Sequence, residues 1–98
     1  MSMPVVLRPI AHVEAYEAAR WYEVKQEGLG AEFLLELQRV LDVIGNHPNR
    51  YPLVLKDTRE VPLARFPYCV YYRERLGQVV ITAVFHTSRD PSDWRGRS

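Results

Sequence analysis

Between Phe33 and Ile44 the residues Phe33, Leu34, Leu37, Val40, Leu41 and Ile44 recur at helical spacing, with Glu32, Glu36, Gln38, Arg39 and Asp42 opposite them. An alternating strand cannot present that pattern. The spacing predicts an amphipathic helix from about Ala31 to Asn46, with Gly45 and Pro48 supplying the stop. A second stripe, Ala15, Ala18, Ala19 and Tyr22, predicts a helix from Ala11 to about Lys25. Glu14, Glu17 and Glu23 lie on its polar side, and Trp21 lies beside the stripe. Gly28-Leu29-Gly30 breaks the pattern between the two, because glycines tolerate the conformations that end helices. So short a connection makes an antiparallel helical hairpin, which needs another apolar surface to cover it.

The remaining segments supply that surface. Val5-Val6-Leu7, closed by Pro9, fits a first strand; Tyr51 to Lys56, Val61 to Phe66, Tyr68 to Glu74 and Val79 to His86 fit later ones, with Asp57-Thr58 and Leu76-Gly77 as turns. The fold class is α+β, in the order βααβββ(β), with the helical hairpin packed on a small, mainly antiparallel sheet. Strict alternation puts Val79, Ile81, Ala83 and Phe85 toward the helices and Val80, Thr82, Val84 and His86 outward. It also separates Tyr71 from Tyr72, so that one is core and the other is free to stack on a base or touch a partner. Pro62 cannot donate a ladder bond, so it interrupts the third strand or turns outward. The tail from Asp90 fits a short helical turn, with Trp94 packing back on the sheet.

With 98 residues there is room for one domain over 1–98; a chain of this size buries roughly two-thirds of its unfolded surface, and a stabilising partner suits it. The one cysteine, Cys69, cannot form an internal disulfide, lacks a second thiol for a metal, and points to a reducing compartment. It lies in an aromatic strand as a buried, inert thiol. His12 and His47 have no ligand partners at metal-site spacing, so neither metal nor cofactor is expected. No apolar run approaches the ~20 residues of a membrane span, and Met1-Ser2-Met3-Pro4 lacks the build of a secretory leader, which leaves the cytoplasm. Residues 1–49 carry four basic and seven acidic groups, and residues 50–98 nine and five. This asymmetry predicts acidic helices and a cationic outer sheet face, suited to a phosphate backbone or an acidic partner.

Trp21-Tyr22, Gly28-Leu29-Gly30 with Phe33, Pro48 with Tyr51-Pro52, Arg65-Phe66-Pro67-Tyr68 with Tyr71-Tyr72, then His86, Arg89-Asp90-Pro91, Trp94 and Arg95 follow one another along nearly the whole chain. In this order and spacing they resemble the RelE/ParE toxin superfamily, the toxin (plasmid-stabilisation) components of type II toxin–antitoxin pairs. The resemblance implies a cytoplasmic toxin neutralised by a cognate antitoxin, as a homodimer or as a hetero-oligomer with that antitoxin. RelE-like members are ribosome-dependent endoribonucleases that cut messenger RNA, which requires a base, an acid and cations around the phosphorane. ParE-like members inhibit DNA gyrase by protein contact and need no catalytic set.

Under the nuclease mode the candidate catalytic residues are His86, Arg89, Arg65 and Tyr68. His86 exchanges a proton near neutral pH and Arg89 holds phosphate; the alternative is that the pair anchors the C-terminal turn by hydrogen bonds. For nucleic-acid or partner binding the candidates are Lys56, Arg59, Arg65, Tyr72, Arg73 and Arg89. Arg59 and Arg65, six apart on the expected third strand, share a face with Val61 and Leu63, and flank the core if those two enter it. Lys56 also reads as a solvated strand-end lysine. Tyr68 stands where several ribosome-dependent nucleases carry a strand arginine, and a phenol has no positive charge near pH 7. That departure favours the ParE-like mode, with the endoribonuclease and a degenerate, non-toxic antitoxin-binding module as alternatives.

Overall fold

The computed structural model describes residues 2–97; Met1 and Ser98, the ends of the expected domain, lie outside the described residues. The elements run β1 (Val5–Leu7), α1 (Pro9–Lys25), α2 (Leu29–Asn46), β2 (Leu53–Leu55), β3 (Thr58–Pro62), β4 (Tyr68–Arg75), β5 (Gln78–His86) and α3 (Ser92–Arg95). The sheet has five strands in the order β1-β5-β4-β3-β2. Among the described residues only the β1–β5 pair is parallel. The α1–α2 hairpin covers one face, and its Ala11, Ala15, Ala18, Phe33, Leu37 and Ile44 form a core with Val61, Val70, Tyr72, Val79, Ile81 and Val84. Alanines along α1 let its backbone approach the sheet closely, while α2 brings the bulk.

Both helices start two residues earlier than periodicity indicates. Pro9 occupies the first turn of α1, where its missing N–H costs nothing. Gly28 precedes α2 with φ of 87°, and a side chain at Gly30 would collide with the Ala19 carbonyl oxygen. The Glu23 carboxylate accepts the backbone N–H groups of Gly28 at 2.8 Å and Gly30 at 3.0 Å, replacing a side-chain N-cap. The two glycines therefore serve different ends: one reverses the chain, the other lets the helices touch.

The third strand departs most from expectation. Lys56 takes a left-handed φ of 48°, the chain turns at Asp57, and β3 starts at Thr58 rather than Val61. It ends at the exposed Pro62, where the donor is missing. Leu63 to Pro67 leaves the ladder, and buried Glu36 of α2 holds it by accepting the N–H groups of Ala64 at 2.6 Å and Arg65 at 3.1 Å. Arg65 is thus not a strand residue and shares no strand face with Arg59. Val61 and Leu63 do enter the core.

On β5 the pairing passes from Ala83 opposite Tyr71 to Ile81 opposite Tyr72, leaving Thr82 without a cross-strand partner. Its hydroxyl donates to the Tyr71 carbonyl at 3.3 Å. This bulge reverses the alternation beyond it. Val79 and Ile81 face the helices as expected, but so does Val84; Ala83 and Phe85 pass to the other side. There they join Cys69, Tyr71 and Trp94 in a second apolar cluster. Trp94 of α3 stacks on Tyr71 with centroids 3.9 Å apart and planes 19° apart, so both tyrosines of the pair are buried. The outer face is accordingly not an open cationic surface. Its centre is apolar, and Arg89 and Arg97 lie over the Phe85 ring at 4.0 and 5.6 Å.

Candidate functional site

A groove of about 550 Å³ runs between α1 and the adjoining ends of β4 and β5. Glu14, Glu17, Ala18, Trp21 and Tyr22 form the helix wall; Pro67, Tyr68, Val84 and His86 form the sheet wall, and Ser88 and Arg89 close one end. The small Ala18 leaves room that a larger residue would fill. Tyr22 lies against Phe66 and Phe33 with centroids 4.8 and 5.6 Å away, and Trp21 meets its edge at 5.1 Å. Trp21 does not widen the buried stripe, since it remains 57% exposed. The result is an aromatic wall with one large ring open to solvent.

Glu14 organises the polar end of the groove. Assigned to the solvent side from the sequence, it is only 7% exposed. Its Oε1 accepts the Val84 N–H at 3.0 Å, and Arg97 binds both oxygens, at 2.9 and 3.0 Å. Arg89 donates to Oε2 at 2.9 Å and to Asp93 at 3.2 Å. Burial works against the Arg89 charge, yet those two carboxylates hold its pKa above the ordinary value. Its positive charge is already matched. The signal for Glu14 was present in the chain: it stands three residues after Ala11 and four before Ala18, inside the alanine stripe.

Tyr68, His86 and Arg89 do meet at this groove, and Tyr68 packs edge-on against the His86 ring at 5.0 Å. His86 Nδ1 accepts the Ser88 N–H at 3.0 Å and lies 2.8 Å from the Ser88 hydroxyl. A backbone N–H only donates, so the neutral ring carries its proton on Nε2. These contacts tie the ring to the turn that follows β5. Burial pushes the Tyr68 phenol above its usual value, already well above neutral pH.

Arg65 is not part of the groove lining; it donates to Glu32 at 2.6 Å and sits over Phe66 at 5.4 Å. Lys56, Arg59, Tyr72 and Arg73 line a separate cleft of about 320 Å³. In it Arg59 donates to the Tyr51 carbonyl at 2.6 Å and Arg73 to Asp57 at 3.2 Å, while Lys56 is exposed. Tyr72 cannot serve as a free stacking or partner-contacting ring. It is 1% exposed and its hydroxyl donates to the Pro48 carbonyl at 2.7 Å. Among the described residues no three His, Cys, Asp or Glu side chains gather as a metal ion requires. No helix among them is long and apolar enough to cross a membrane.

A family model described as the ParE toxin of type II toxin–antitoxin system, parDE, matches residues 5–91. Comparison with curated protein sequences returns no match. Among solved structures, a chromosomal ParDE toxin–antitoxin system from P. aeruginosa has a similar fold, with a TM-score of 0.78 over 89% of this chain and 98% of that one at 13% identity. The sequence match spans both helices and the whole sheet, including the groove, and it is this match that assigns the chain: it belongs to the ParE toxin family of type II toxin–antitoxin systems.

Proposed function

We propose that this chain is a single toxin domain, residues 1–98, that acts in the cytoplasm by holding DNA gyrase through a protein contact. A cognate antitoxin neutralises it by occupying the groove beside α1. One observation carries the reading, namely that the groove's cation and its imidazole lone pair are already committed. Arg89 is bound by Glu14 and Asp93 and His86 Nδ1 by Ser88, and the Tyr68 phenol, uncharged near neutral pH, is made a poorer base-former still by burial, which raises its pKa. Cleavage of a ribose phosphate needs a cation free to meet the phosphorane and a base free to take the 2′-hydroxyl proton. What the groove offers instead is exposed Trp21 and apolar walls, which suit a protein segment that orders as it docks.

The shared lining of Tyr68, His86 and Arg89 is the observation that favours ribosome-dependent cleavage as the second reading. Two assays separate them. With purified chain, the expected result is loss of gyrase supercoiling while messages in a translating extract stay intact; cut messages with normal supercoiling establish the nuclease instead. Induction without growth arrest points to an antitoxin-binding module that poisons nothing.

A further inference from the structure

The side of α1 turned away from the core carries an aliphatic row interleaved with charges, and no described residue covers it. Ile10, Val13 and Val24 are 45%, 49% and 78% exposed, and exposed Glu17 and Arg20 lie between them. Positions 10, 13, 17, 20 and 24 advance in alternating steps of three and four, the seam by which one helix packs along another. Ala11, Ala15 and Ala18, which face the sheet and α2, lie on a different side of the same helix. Neither Glu17 nor Arg20 belongs to an ion pair among the described residues. A solvent-facing helix side gains nothing from three large aliphatic side chains in register.

We infer that this stripe is the contact face of a homodimer in which α1 of one copy lies antiparallel along α1 of another. The order of charges selects a second copy and its direction. In an antiparallel pair with two-fold symmetry, the seam places Glu17 of each copy against the partner's Arg20, and Val13 against the partner's Val24. Parallel pairing sets Glu17 against Glu17 and Arg20 against Arg20, which is repulsive at both levels. The stripe is therefore its own complement only when reversed. A single helix pair falls among small interfaces, below about 1,200 Å² in total, so the dimer dissociates on dilution. This inference does not depend on which target the toxin reaches.

Sedimentation of the full chain over a range of concentrations tests it, with circular dichroism and thermal midpoint confirming that each variant is folded. The native chain is expected to pass from monomer to dimer as concentration rises. Glu17→Arg and Arg20→Glu each present like charges across the seam and weaken self-association by at least about tenfold. Mixed together, these two variants complement each other at every seam position and are expected to form a heterodimer. Val24→Asp, at a site with no packing role in the monomer, is expected to stay monomeric throughout. A native chain that remains monomeric at its highest attainable concentration overturns the inference. So do single charge variants that dimerise as the native chain does, or folded monomeric variants that fail to combine when mixed.

Discussion

The two faces of the sheet are held in opposite ways. On the helix side, 35 residues of α1 and α2 spread an apolar core over β1, β3, β4 and β5, with Phe33, Ile44 and Ala11 fully buried. On the outer side a four-residue turn, α3, covers Tyr71 and Phe85 through one tryptophan, and one buried carboxylate, Glu14, ties down Arg89 and Arg97. The first face is redundant, since many contacts share the load. The second depends on few groups, and regions of that kind open at lower free energy than the core. The groove lies where the two arrangements meet, with α1 as one wall and the Glu14-bound Arg89 at its end.

Substitutions that strike one face and spare the other test this contrast. Phe33→Ala, which empties the space among Tyr22, Phe66 and Tyr68, should cost about 3–5 kcal/mol and leave little of a small domain's stability in denaturant unfolding. Glu14→Gln should cost about 2–3 kcal/mol, because it leaves Arg97 without its carboxylate and Arg89 with Asp93 alone; the signature is lost amide protection in α3 ahead of the helices. Trp94→Ala should cost about 2 kcal/mol and unseal only the outer cluster, so the Cys69 thiol should label faster while α1 and α2 stay protected. The smallest effect concerns Cys69 itself, whose burial raises its pKa above 9.0, so the unfolded chain ionises first. Its contribution is complete below pH 9.0 and is lost as pH rises through the raised native value. The stability difference between the native chain and Cys69→Ala should therefore be more in the native chain's favour at neutral than at strongly alkaline pH, as read by denaturant unfolding at the two pH values.

What the sequence disclosed, and what it concealed, follows the same division. The helical hairpin, the strand succession and the return of Trp94 to the sheet were legible, since each is written in apolar spacing and turn residues. Periodicity treats a carboxylate as a vote for solvent, so Glu14 and Glu36 were placed outside although each anchors a backbone segment from within. Their positions within the apolar stripes were the only clue. The bulge at Thr82 left no mark that alternation rules detect, and it moved Ala83, Val84 and Phe85 to unexpected faces. Arg65 was misplaced for a related reason, because Pro62 ended a strand that had been extended through it. Of the candidate set His86, Arg89, Arg65 and Tyr68, three line one groove and Arg65 does not, while Lys56, Arg59, Tyr72 and Arg73 line another cleft.

The central claim is that the groove binds and does not catalyse. The most direct measurement is growth arrest on induction of the double variant Tyr68→Phe/His86→Asn. Phenylalanine keeps the ring of Tyr68 without its hydroxyl, and asparagine keeps an acceptor for the Ser88 N–H without a titratable ring. Arrest should match that of the native chain, with gyrase supercoiling still inhibited. Abolished arrest from a variant that folds and still binds the antitoxin would contradict the claim.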